Sequence, residues 1–170
     1  LRPHWQYKIK TCGKRRSRHC CDGSPRAAPG LHEFAESYSS CIEVPIFCLF
    51  CALSAALNYL IFAGDAQDAY AHSPGPATPT FRAINDICYE WYLDRFGVKL
   101  DRSLVVPVRR ALQGHPESGR LWESHINDIL TSPELGFKST THEKNIYISH
   151  NFGPKPVLLC RQVDDFAVAC

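Results

Sequence analysis

The sequence predicts an α+β fold. Helix-period and strand-period segments follow one another irregularly, with no βαβ repeat to impose a parallel sheet. The composition, 45% apolar and 21% charged over 170 residues, suits a globular core of about one domain. The apolar runs Val157-Leu158-Leu159-Cys160 and Phe166-Ala167-Val168-Ala169-Cys170 flank a short polar tip, as the arms of an antiparallel hairpin do.

The elements read in order as follows. Trp5-Gln6-Tyr7-Lys8-Ile9-Lys10 alternates like a strand, Thr11-Cys12-Gly13 is a turn, and residues 14–18 return as a basic strand. Asp22-Gly23-Ser24-Pro25 and Ala28-Pro29-Gly30 are loop. Residues 46–63 carry no charge and match a membrane span in length. Against a span, Ser54 and Asn58 interrupt the run, basic anchors are missing, and it leads straight into Gly64-Asp65-Ala66-Gln67-Asp68. A buried helix over residues 45–57, with Pro45 in its first turn, and a buried strand over 59–65 are expected instead.

Residues 73–79 form a proline-rich loop. A helix is expected over 82–96, with Ile84, Ile87, Cys88 and Trp91 on its apolar face and Gly97 ending it. Residues 104–108 read as a strand. Residues 116–130 read as a second helix, striped by Leu121, Trp122, His125, Ile126, Ile129 and Leu130. Leu135-Gly136-Phe137 closes that segment, and residues 145–149 form a further strand.

Net charge is only +2, but it is unevenly spread. Residues 1–30 hold eight Lys/Arg and one acid, whereas the remainder is acidic. A phosphate-backbone binder with a metal site has this distribution, and so does a basic, partly disordered terminus. The nine cysteines show no repeated spacing, and Cys12, Cys20 and Cys21 lack the partners of a zinc knuckle. Reduced thiols inside the cell are the expectation. The chain has no methionine and starts at Leu1, as a piece of a longer protein would.

The most informative segment is Arg161-Gln162-Val163-Asp164-Asp165. Two adjacent carboxylates held at a hairpin tip repel each other unless a cation lies between them. A divalent metal relieves the repulsion, and hard oxygen ligands suit Mg²⁺. His115 is expected to shape a loop, and His142-Glu143 has no second histidine at ligand spacing. No Ser-His-Asp arrangement, phosphate-binding glycine loop or heptad pattern is present.

Three segments come in a telling order: Asp65-Ala66-Gln67-Asp68-Ala69-Tyr70, then Leu112-Gln113-Gly114-His115-Pro116, then Asp164-Asp165. They resemble motifs A, B and C of reverse transcriptases. The wider chain resembles the copia-type retrotransposon polymerase in Trp5-x-x-Lys8-Ile9-Lys10, in Ala111, Leu112, Gly114 and Trp122, and in Leu135-Gly136-Phe137. The likeness extends over nearly the whole chain.

The resemblance implies a fingers-palm fold with an antiparallel palm sheet and helices packed behind it. Residues 1–45 would be a fingers-like basic segment, and 46–170 a palm carrying the three motifs. The activity implied is RNA-directed DNA polymerisation from deoxynucleoside triphosphates. Asp65, Asp164 and Asp165 would be the catalytic acids, holding two Mg²⁺ or in their place Mn²⁺. Asp68 would be polar support beside them.

For the substrate, Ala66 and Gln67 would line the triphosphate. Tyr70 would exclude a ribose 2′-hydroxyl, although such a tyrosine is by itself more often core. Gln113 and Gly114 would line the nucleotide pocket. Arg16, Arg18 and Lys8 would neutralise triphosphate or template phosphates. Partners implied are an RNA or DNA primer-template, dNTPs, and adjoining integrase and RNase H segments of a polyprotein, with no membrane. Location would be intracellular, in a cytoplasmic virus-like particle or the nucleus. The thumb and RNase H regions lie outside this chain, and Gln162 stands where the family has tyrosine. Two alternatives remain: a catalytically inactive nucleic-acid-binding remnant, and a small membrane or interaction protein using residues 46–63.

Overall fold

A computed structural model describes residues 1–33 and 36–170. In chain order the elements are β1 (Arg2–Ile9), β2 (Arg15–Asp22), α1 (Pro29–His32), α2 (Val44–Ala56), β3 (Ile61–Asp65), α3 (Ala69–His72) and β4 (Phe81–Ala83). They continue with α4 (Asp86–Phe96), β5 (Val105–Pro107), α5 (Ser118–Leu130), β6 (Lys138–Ser139), β7 (Ile146–Ser149), β8 (Val157–Gln162) and β9 (Asp165–Ala169). Every strand pairing is antiparallel, so the α+β expectation holds at this level.

The chain forms two compact units, each discontinuous in sequence. One comprises residues 1–37 and 70–121, the other 38–69 and 122–170.

In the first unit, β1 and β2 form a two-stranded ribbon whose register pairs Trp5 with His19, Tyr7 with Ser17 and Lys8 with Arg16. Gly13 makes the connecting turn possible by taking φ of 80°. Strand alternation places Trp5, Tyr7 and Ile9 with His19, Ser17 and Arg15 on one face. Gln6 and Lys8 share the other face with Arg18 and Arg16. The Trp5 ring stacks on Tyr7 at 6.3 Å and tilts against His19 at 4.8 Å.

Strands β4 and β5 pair in the same unit. This corrects the expected start of helix α4. Residues 81–83 are drawn into strand pairing, and the helix begins after Asn85, whose side chain accepts from the Cys88 N–H at 2.9 Å. Gly97, left-handed at φ 66°, ends it as expected. The expected apolar face is a second correction. Tyr89 is the buried residue of α4, while Ile87 and Trp91 are more than half exposed.

The second unit is built on a five-stranded sheet ordered β3-β9-β8-β7-β6. Its core joins Phe50 of α2 to Leu158 and Cys160 of β8 and Ala169 of β9. The end of α2 follows from Asn58, which adopts φ of 56° just past the helix. The Tyr59 N–H then reaches the Ser54 carbonyl at 2.9 Å, and the Asn58 N–H reaches Ala55 at 3.0 Å.

Burial of α2 and β3 differs from expectation. Only Phe50 and Ser54 of α2 are buried, and every residue of β3 is exposed. The cause is position: α2 rests on the sheet by one side only, and β3 is an edge strand. Among the described residues no helix is long and apolar enough to cross a membrane.

Candidate metal and nucleotide site

The acids lie in the second unit. Strands β8 and β9 are joined by the two residues Val163 and Asp164, with Gln162 opposite Asp165. On the other side of β9, Asp165 stands directly opposite Asp65. Cross-strand partners share a face, so Gln162, Asp165 and Asp65 form a row across three strands. Asp65 and Asp165 are exposed and Asp164 is half-buried. Like charges directly opposed in a sheet are destabilising. Among the described residues neither acid of this pair has a basic ion-pair partner.

The turn itself is strained. Val163 takes φ of 56°, a region that a β-branched residue rarely enters. A positive φ at the first of two turn residues is the type II′ pattern, normally filled by glycine. Such a conformation costs about 1–3 kcal/mol and persists where its surroundings over-determine it. Here two hydrogen bonds do so: Trp122 Nε1 donates to the Val163 carbonyl at 2.7 Å, and the Ala66 N–H donates to the Asp164 carbonyl at 2.8 Å. The second bond ties the tip of the hairpin to the residue that follows Asp65.

The donor set fits a hard divalent cation: carboxylate oxygens on adjacent strands, with an unrelieved repulsion between two of them. Among the described residues no three His, Cys, Asp or Glu side chains already surround one point. The backbone register brings the acids together. Their side-chain rotamers do not form a ready-made cage. Gln67 is exposed beside them, and Asp68 is exposed in a left-handed turn at φ 51°.

Gln162 has a partner of its own. Its Oε1 accepts from the Ile42 N–H at 2.8 Å, which straps residues near 42 to the edge of the hairpin.

The remaining predicted residues belong to the first unit. Tyr70 lies half-buried on the short helix α3. Arg16 is exposed and Arg18 half-buried, both on the ribbon face that also carries Lys8. The Gln113 carbonyl accepts from the Cys21 N–H at 2.9 Å. Gly114, at φ 92°, passes so close to the Cys21 carbonyl that a Cβ there would collide with it. The close approach that this glycine permits within the chain is therefore to β2.

Beside it, His115 is buried and accepts the Glu117 N–H at Nδ1, 3.2 Å away. This leaves Nε2 protonated and facing Thr80 Oγ1 at 3.4 Å, while the Thr80 hydroxyl donates to the Thr78 carbonyl at 2.9 Å. Burial holds the imidazole below its ordinary value of 6.5, and the nearby Glu117 only partly counters it. His115 thus shapes a loop as a neutral ring.

Sequence reasoning misses one cluster in the second unit, around Arg161. This residue is 1% exposed. Its Nη2 donates to Asn145 Oδ1 at 2.6 Å and to Ser40 Oγ at 3.4 Å, and lies 3.5 Å from Glu123 Oε1. The Glu123 carboxylate also accepts from the Ser40 N–H at 2.9 Å and from the Ser40 hydroxyl. The one sequence signal is an arginine interrupting the strand run Leu158-Leu159-Cys160. Compared with protein-family models, curated proteins and solved structures, the chain matches none.

Proposed function

We propose that this chain is the fingers-palm portion of a copia-type reverse transcriptase, transferring deoxynucleotides from dNTPs onto a primer 3′-hydroxyl on an RNA or DNA template. The observation that carries the proposal is the three-acid tip. Asp65 stands opposite Asp165, and Asp164 occupies a strained turn tied to the backbone at Ala66. Strain of this kind is retained where a side chain must be aimed.

Asp65 and Asp164 are the bridging ligands and Asp165 the third acid. Two Mg²⁺ ions, or Mn²⁺, would activate the attacking oxygen and stabilise the leaving one. The chain's own contribution is placement. Edge strand β3 and hairpin β8–β9 carry the carboxylates, and Ala66 and Gln67 lie beside the triphosphate. The resemblance assigns to Tyr70 the exclusion of a ribose 2′-hydroxyl, and to Gln113 and Gly114 contact with the nucleotide. Arg16, Arg18 and Lys8 neutralise phosphate from one face of the ribbon. Integrase and RNase H segments adjoin the chain in the polyprotein, which acts in a cytoplasmic virus-like particle or the nucleus.

One observation favours a second reading, a nucleic-acid-binding remnant without catalysis. The first 21 residues hold seven Lys/Arg and no acid, enough to bind phosphate with no help from the aspartates.

Templated dNTP incorporation with Mg²⁺ separates the two, using the chain together with the thumb segment that the resemblance implies. Incorporation that falls by at least about 10³-fold in both Asp65→Asn and Asp164→Asn supports the polymerase. Duplex binding with no incorporation by the wild type supports the remnant.

A further inference from the structure

A buried arginine is a costly way to fill a strand. Taking its charge out of water is unfavourable, and well-packed apolar residues often serve stability equally well. Arg161 lies among apolar neighbours in β8, and its Nε is buried with no hydrogen-bond partner. The group is therefore not optimised for stability alone. Its location suggests another use. It precedes Asp164 by three positions, and the residue between it and the turn, Gln162, holds Ile42.

The partners of Arg161 converge from three directions. Glu123 comes from α5, Asn145 from the entry to β7, and Ser40 from the segment before α2. Asn145 also accepts the Arg161 N–H on its own carbonyl at 2.9 Å, so backbone and side chain are held by the same residue. Glu123 is adjacent to Trp122, whose indole holds the strained Val163 carbonyl. One turn of α5 therefore grips the hairpin twice, at the turn and two residues before it.

A strand slipped by one residue sends every side chain to the opposite face. For β8, a slip would take the guanidinium away from Glu123 and Asn145 and leave a buried charge unpaired. Buried polar groups that select register are the best-attested use of such costly pairs.

We infer that Arg161 is a positioning residue for the acid hairpin. Held by Glu123, Asn145 and Ser40, it locks the register of β8 in which Val163 and Asp164 form the turn and Asp165 faces Asp65. The inference rests on the polymerase reading only where it concerns metal. The register lock itself is independent of that reading.

The test compares the full chain with Arg161→Met, which fills similar volume without charge. Three quantities are measured: the melting temperature, the hydrogen-exchange rate of the Trp122 indole N–H, and the affinity for Mn²⁺. In the variant Glu123 and Asn145 lose their cationic partner, so the melting temperature falls, and in the folded variant indole exchange accelerates about tenfold relative to the backbone amides of α2 as the Val163 carbonyl leaves its partner. Mn²⁺ affinity falls about tenfold or more, as expected when a group that orients metal ligands is lost.

Exchange and Mn²⁺ affinity at wild-type values in a folded Arg161→Met protein overturn the inference. If wild type itself does not bind Mn²⁺, the metal reading fails, and the indole exchange rate still decides the role of Arg161. If Arg161→Met does not fold, Glu123→Gln replaces it, keeping the shape while removing the charge and one of the two acceptor oxygens that hold Ser40 and Arg161. Unchanged indole exchange in that variant overturns the inference as well.

Discussion

Val163 is the residue at which the candidate site can be tested most simply for stored strain. Replacing it with glycine removes the steric cost of a positive φ but adds backbone freedom to the unfolded chain. Relief of the strain outweighs the added freedom, so Val163→Gly is expected to raise the unfolding free energy by about 1 kcal/mol. Chemical denaturation reads this directly, and a loss of stability would mean that Val163 packs better than its backbone suggests. Cys160 offers a second residue-scale expectation. Burial in the sheet core, with Cys51 nearby, pushes its thiol up to about 11 from an ordinary 9.0. The unfolded thiol ionises first, so the stability it contributes is complete below pH 9.0 and lost as pH rises through about 11. At pH 8, on this basis, thiol reagents label exposed Cys12, Cys48 and Cys88 well before Cys160. Peptide mass spectrometry checks the order, and equal labelling of Cys88 and Cys160 would contradict the burial. At this scale the acids themselves are legible in the sequence, because adjacent charges between apolar arms form a local anomaly. The Arg161 cluster is not legible. Ser40, Glu123, Asn145 and Arg161 are scattered along the chain, and no period links them.

Element ends are more legible than element faces, and α2 and α4 explain why. Asn58 and Gly97 mark their helix ends through a property of one residue, the tolerance of a left-handed backbone. A face depends on what lies opposite. Helix α2 is apolar all round, so its sequence has no stripe from which to predict that Phe50 and Ser54 alone are buried. In α4 the aromatic residues Tyr89, Tyr92, Trp91 and Phe96 occupy several sides, and tertiary packing selects Tyr89. The link from β2 to the loop before α5 makes its own prediction. Gly114→Ala forces a side chain against the Cys21 carbonyl in a conformation unfavourable to alanine. A loss of about 2 kcal/mol or more is expected in thermal or chemical denaturation. The β1–β2 ribbon makes another through its two chemically different faces. Removing Lys8, Arg16 and Arg18 should lower the salt dependence of single-strand binding, by about one slope unit for each phosphate no longer neutralised. Replacing Trp5 and Tyr7 with alanine should weaken binding by about 1–3 kcal/mol per stacked base and leave the slope alone. Titrations of an oligonucleotide at several salt concentrations measure both, and identical slopes in the basic-face variant and wild type would refute the assignment.

At the scale of the whole molecule, the α+β class follows from the irregular order of elements, while the division into units does not. Each unit is assembled from two stretches, and the stretches of the two units alternate along the chain, so no single cut in the sequence separates them. Composition shifts mark linkers between continuous domains and are silent about interleaved ones. The strand order has a consequence for how such a chain is made. Strand β3 has a single neighbour, β9, and Asp65 meets Asp165 across 100 positions of sequence. On the ribosome the first acid emerges early and has nothing to pair with. Its strand is an exposed apolar ribbon until the closing hairpin is delivered, the kind of unpaired edge that associates with other chains. The acid site is therefore completed only once β9 has been made, and a product that stops short of β9 leaves β3 as an open edge.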